Sequence, residues 1–218
     1  MAADPSSPHP AQPADGQQPG RGGRLTLWGV AILVLAASVL GGHHKANDAA
    51  DPSPATGATA GSHIAGEPFP RSAPTRLRIP KIAVDAPFTA LVLSSSGQLE
   101  PPPADNTNLV GWYAKGVTPG EKGTAVIAGH VDTKTSAAVF ANLDELEPGD
   151  HFSVERADGQ SANFVVDSAE TFEKDDFPSK RVYDDAKRPE ARLITCAGDY
   201  DHSAKDYTEN LVVFAHLV

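Results

Sequence analysis

Apolar positions along this chain fall into two contrasting patterns. From Leu25 to Gly42 they are continuous, LTLWGVAILVLAASVLGG, 18 residues without a charge. At 1.5 Å per residue such a run reaches about 27 Å as a helix, close to the about 30 Å hydrocarbon core of a bilayer. Beyond residue 75 the apolar stretches are short and punctuated. Ile79, Ile82, Val84 and Phe88 are interrupted by Pro80 and Pro87, as in edge strands or barrel corners, and Ala90 to Leu93 runs into a Ser94-Ser95-Ser96-Gly97 turn. Thr124 to Ala128 is uniformly small or β-branched and reads as a strand buried on both faces that stops at Gly129-His130. Phe152 to Glu155 alternates, Asp158-Gly159 supplies a hairpin turn, and Asn163 to Val166 resumes the strand. Arg192 to Cys196 and Leu211 to Ala215 are two more strands. Val139, Leu143 and Leu146 repeat at helical spacing before Pro148-Gly149, which predicts a helix over Ala137 to Leu146. Seven or eight short strands with one or two helical insertions argue an all-β barrel.

The polar stretches divide the chain. Residues 1–24 hold five prolines among Ser, Gln, Gly and Asp and lack a periodic apolar face, so a disordered arm is expected there. Arg21 and Arg24 precede the apolar run and Lys45 follows it, a bias that puts the arm in the cytoplasm and everything after the run outside. An uncleaved transmembrane signal-anchor over 25–42 is the expectation; a cleaved signal peptide shares its charge order, and a buried soluble helix is the third reading. Residues 43–74 are again rich in Ala, Gly, Pro, Ser and Thr and read as a flexible linker, leaving 75–218 as one domain.

That domain carries 14 Lys and Arg against 23 Asp and Glu, part of a chain with net charge −10, so it offers no basic footprint to nucleic acid. One cysteine in 218 residues excludes an internal disulfide and paired-cysteine zinc sites. The acidic clusters at Asp175-Asp176, Asp184-Asp185 and Asp199, Asp201, Asp206 lack the spacing of a calcium loop, and no residue set reads as a metal or cofactor site.

Candidate chemistry lies at the ends of two strands. His130 ends TAVIAGH, where Gly129 lets the backbone turn, and Cys196 ends RLITC ahead of Ala197-Gly198. A thiol becomes nucleophilic as its thiolate, and a neighbouring imidazolium both stabilises that charge and serves as the acid for a leaving amine. Taken singly, each is more readily a packing or structural residue than a catalytic one.

The local strings add to this. Residues 75–218 resemble the sortases, cysteine transpeptidases of Gram-positive cell surfaces, and are most similar to the actinobacterial class often called F. Val110-Gly111-Trp112-Tyr113 and PGEKGTAVIAGHVD (119–132) are similar to the sortase segment with the catalytic histidine, and LITCAG (193–198) to the segment with the nucleophile, about 65 residues further on. The resemblance implies an eight-stranded barrel in which Cys196 forms a thioester and His130 moves the proton. It implies as partners surface proteins with a C-terminal LPxTG-like sorting motif and the amine of a lipid II-like peptidoglycan precursor, acted on by a monomer at the outer face of the membrane, without a cofactor. Sortases usually carry an arginine 12 or 13 residues past the cysteine; here Thr208 and Glu209 take those places, Asn210 follows, and no arginine occurs after Cys196. Thr208 and Asn210 are the candidate uncharged donors for the oxyanion and the substrate, with Lys205 or Arg192 as a displaced cation. The missing arginine also leaves open a sortase-fold binding module that is weak or inactive, and a thioester hydrolase of the same chemistry.

Overall fold

A computed structural model describes residues 66–218. The expected arm, the anchor over 25–42 and the linker up to residue 65 lie outside the described residues. Among those described, no helix is long and apolar enough to cross a membrane.

The eight strands described are β1 (Pro74–Ile79), β2 (Val84–Leu91), β3 (Val110–Tyr113), β4 (Gly123–Gly129), β5 (His151–Arg156), β6 (Ser161–Glu173), β7 (Pro189–Asp201) and β8 (Asp206–Leu217). They close into a barrel in the order β1-β2-β3-β4-β7-β8-β6-β5, β5 returning to β1. Closure leaves no free edge. Two pairs, β2 with β3 and β4 with β7, are parallel; the others are antiparallel. All seven residues of β4 are buried, as the unbroken apolar string TAVIA predicts. The Asp158-Gly159 turn also stands where the sequence places it, with Gly159 at φ +80°.

The alternation of β7 and β8 sorts side chains between two apolar layers. Leu193, Leu211, Val213 and Ala215 fill the barrel with Phe140, Phe164 and Ile127, whereas Ile194, Val212 and Phe214 face outward with Val126 and Ala128. That outer layer is covered by Phe172, Phe177 and Tyr183, which belong to the end of β6 and to the excursion between β6 and β7. One α-helix, α1 (Ser179–Tyr183), five residues long, lies in that excursion.

Three expectations need correction. The segment 137–146 is not a helix: a single 3-10 turn, Leu143–Glu145, follows looser turns, and Phe140 donates its amide to the His130 carbonyl at 3.0 Å. Val139, Phe140, Leu143 and Leu146 all pack into the barrel core, so their spacing records the wrapping of a plug segment, not a helical face. Packed chain also extends into the stretch 43–74 expected as linker. Phe69 is buried and donates its amide to Gly120 at 2.8 Å, and the buried Arg156 guanidinium donates to the carbonyls of Pro70 and Pro119 while stacking on the Phe69 ring at 5.0 Å. Thirdly, β7 does not stop at Cys196. Gly198 takes φ +76°, the register slips between Ala197 and Tyr200, and pairing resumes at Tyr200 with Tyr207. A glycine-bearing bulge bends the strand and lets it continue.

Candidate active site

Strand register assembles the site. In the parallel β4–β7 pair, Ala128 stands beside Ile194, so His130, two residues on, arrives at the level of Cys196 on the same outward face. Across the other side of β7, Cys196 pairs with Asn210 of β8, and Asn210 pairs with Phe172 of β6. His130, Cys196, Asn210 and Phe172 thus form one transverse row on four neighbouring strands. Residues 66 positions apart in sequence become neighbours through a parallel pairing that periodicity alone does not specify.

A narrow cleft opens over the His130 and Cys196 end of this row. Leu99, Glu100, Pro101 and Pro102, from the connection between β2 and β3, form one lip; Ile194, Thr195 and Cys196 form the floor, with Lys174 and Asp206 opposite. On the far side of His130 a larger cavity of about 1080 Å³ opens, walled by Glu100, Pro102, Asp105, Asp132, Tyr200 and Tyr207. His130 stands on the boundary between the two spaces.

The Pro102 carbonyl lies 2.7 Å from His130 Nε2. A carbonyl oxygen accepts, so Nε2 carries the proton and Nδ1 is the nitrogen that gains one when the ring becomes an imidazolium. The turn that aims the ring depends on Gly129: a Cβ there would stand 2.6 Å from Cδ2 of the fully buried Phe140. Next to the histidine, Asp132 accepts from the Tyr207 hydroxyl at 2.5 Å. Burial, and then this carboxylate, push the tyrosine up to about 12.

Cys196 is a half-buried free thiol. Burial pushes it above its ordinary value; Lys174 pulls it down, and Asp206 and Asp132 add to the push. Lys174 Nζ lies 3.9 Å from Cys196 Sγ and 2.6 Å from Asp206 Oδ1. The thiol therefore meets a cation, but one shared with a carboxylate.

Of the residues singled out from the sequence, His130, Cys196 and Asn210 come together. Asn210 is 2 % exposed, and its Oδ1 is buried without a hydrogen-bond partner. Thr208 stands apart at the bulge, exposed, its hydroxyl accepting the Asp199 amide at 3.1 Å. Neither displaced-cation candidate reaches the thiol. Arg192 is buried against Phe214, 4.6 Å from the ring centroid, and donates to Glu190 at 2.7 Å, while Lys205 is exposed in the β7–β8 turn at φ +56°. Lys174 and the Pro102 carbonyl are the members that sequence reasoning missed. The triple proline 101–103 signals a stiff extended segment, yet nothing local says that one of its carbonyls meets a ring 28 residues away.

Over residues 77–218 the chain matches the family model described as the sortase domain. It belongs to the sortase family, whose members are cysteine transpeptidases. Among solved structures it is similar to sortase C1 of Streptococcus agalactiae in complex with MTSET, with 25 % identity, a TM-score of 0.50 and 66 % of each chain covered. It is also similar in fold to sortase A from Corynebacterium diphtheriae (21 % identity, TM-score 0.50, 68 % of this chain and 62 % of that one). A mutant of sortase C-1 from S. pneumoniae compares likewise (22 %, TM-score 0.52, 66 % and 65 %). The chain thus spans just under two thirds of the length of these structures. No curated protein matches it.

Proposed function

We propose that this protein is a membrane-tethered sortase that cleaves a C-terminal LPxTG-like sorting motif and joins the new carboxyl end to the amine of a peptidoglycan precursor. Cys196 Sγ, as thiolate, attacks the carbonyl carbon of the threonine; the C–N bond to glycine breaks, and the leaving amine takes its proton from the His130 imidazolium. In the second half an acceptor amine attacks the thioester, gives its proton to His130, and expels the thiolate. Each turnover returns both groups to their starting state. Asn210, cross-strand from Cys196, is the side chain assigned to the oxyanion or to the substrate backbone. The apolar run at 25–42 holds the chain in the membrane with the barrel outside, and the linker lets it range over the nearby wall.

The observation that carries this reading is the register that sets His130 beside Cys196 at the end of a parallel strand pair, inside a family whose chemistry needs that pair. A fluorogenic LPxTG-like peptide tests it, with and without triglycine as acceptor. Cleavage that rises with triglycine and yields the glycine-extended product supports transfer; cleavage indifferent to the amine makes the enzyme a hydrolase. No cleavage and no thioester makes the barrel a binding module. Labelling of Cys196 by an impermeant thiol reagent on intact cells, with the full-length mass retained in membranes, tests the anchor; a soluble product beginning near residue 43 sinks it.

A further inference from the structure

Sortases are expected to bring an arginine to the thiol from the last strand, and β8 of this chain has none to offer. The barrel order places β6 on the far side of β8, two strand spacings or about 10 Å from β7. At the end of β6, in the 3-10 turn Lys174–Asp176, Lys174 reaches back across β8 to within 3.9 Å of the Cys196 sulfur. Its side chain is 18 % exposed, and its ammonium is tied down at 2.6 Å by Asp206, the first residue of β8, which also accepts the Tyr207 amide at 2.8 Å. Phe172, two residues before Lys174, fixes the strand end by an edge-on contact with Phe214. The lysine is thus positioned from both ends: its backbone by the β6–β8 pairing and its ammonium by a carboxylate. Nothing in the sequence near Cys196 or on β8 points to it.

We propose that Lys174 is the counter-cation of the Cys196 thiolate, the charge that an arginine on the last strand would otherwise supply, delivered here from the neighbouring strand β6. The groups facing the thiol make the need plain. His130 lies on the β4 side with Asp132 behind it, Asp206 on β8 with Tyr207 behind it, Glu100 on the lip of the cleft, and Lys174 in the turn just after β6. Burial and the carboxylates of Asp206 and Asp132 disfavour a thiolate, and among these described groups Lys174 is the one that is cationic regardless of the ring's protonation. An opposite charge at about 4–6 Å lowers an ionisation midpoint by roughly 1–3 pH units, and sharing the ammonium with Asp206 puts this lysine at the low end.

The inference rests on Cys196 being the nucleophile, and its test does not need the sorting substrate. Full-length protein in detergent is alkylated with iodoacetamide, a neutral reagent, and the rate is followed against pH for the natural sequence, Lys174→Gln, Lys174→Arg and Lys205→Gln, with thermal melting run in parallel. Lys174→Gln should raise the midpoint by about one unit and slow alkylation about tenfold near neutral pH. Lys174→Arg should hold the midpoint close to its natural place, and Lys205→Gln should leave it unmoved. Superimposable profiles for Lys174→Gln and the natural protein, with both folded, overturn the proposal; so does an equal shift from Lys205→Gln, which would reduce the effect to bulk charge. A shifted alkylation profile in a protein that cleaves no peptide upholds Lys174 and overturns the transpeptidase reading, so the two fail separately.

Discussion

On the β4 side of the cleft everything is held by packing: seven consecutive buried residues lead into His130, Phe140 closes against Gly129, and the Pro102 carbonyl pins the ring. On the β7–β8 side the thiol meets an ion pair at the cleft wall, and the strands that carry it hold a bulge at Gly198, an exposed Thr208 and, across from Cys196, a buried amide with an unmet oxygen. One wall fixes geometry and the other sets charge. Substitutions on the first should therefore cost stability, and on the second chemistry at nearly constant stability.

The largest effect on stability is expected from Gly129→Ala. Its Cβ would stand 2.6 Å from Phe140 and 2.8 Å from Val139, neither free to retreat. Overpacking of this kind costs about 2 kcal/mol, or roughly 4–8 °C of melting temperature for a domain of this size. A melt unchanged within a degree would break the claim that this wall is rigid. Gly198→Ala lies at the matching place on the other wall. A non-glycine residue at left-handed φ costs about 1 kcal/mol, and its Cβ meets the exposed Thr208 side chain at 2.6 Å, which can swing away. The melt should fall less than for Gly129→Ala, while peptide turnover drops about tenfold because the strand carrying Cys196 is re-aimed.

Asn210→Leu sharpens the contrast further. Its Oδ1 already lacks a partner, so an apolar residue of similar size should leave the melt level or slightly higher, while turnover falls about 10- to 100-fold if the amide serves the oxyanion. A lower melt with full turnover would move Asn210 to the structural wall. The smallest effect belongs to Tyr183→Phe. That hydroxyl is buried within the excursion that covers the outer layer, without a partner, and its ionisation is pushed up by burial alone. Removing it should change stability by under about 0.5 kcal/mol and leave turnover untouched, checked by chemical denaturation beside the peptide assay.

This difference also explains what the sequence could convey. The packed wall was legible: an unbroken run of small and β-branched residues can only be a strand buried on both faces, and it locates His130 at its end. Strings such as LITCAG and the Asp158-Gly159 turn were legible for the same reason, since local chemistry determines local structure there. The charged wall was not. Lys174 reaches Cys196 through the β6–β8 and β7–β8 registers, which are tertiary facts; its segment, Phe172 to Val182, is set near the groove only by the family resemblance, as a loop, and nothing in FEKDD singles out the lysine. The continuation of β7 past Cys196 was hidden because a glycine after a strand signals an end as readily as a bulge. The 137–146 segment misled for the opposite reason: core-facing residues three and four apart arise in any chain that wraps around a barrel mouth. Phe69 was overlooked because one aromatic flanked by prolines has no period from which burial can be read.

The central claim is that Cys196 and His130 act as a pair on a sorting-motif carbonyl, and intact-mass spectrometry of the protein mixed with an LPxTG-like peptide tests it most directly. The natural protein should gain the mass of the peptide's acyl portion, lose it on addition of triglycine, and release the glycine-extended product. Cys196→Ala and His130→Ala should show neither adduct nor product while melting within a few degrees of the parent, since deleting one small thiol costs roughly 1 kcal/mol. Product formation by Cys196→Ala at the parent's rate would contradict the account outright.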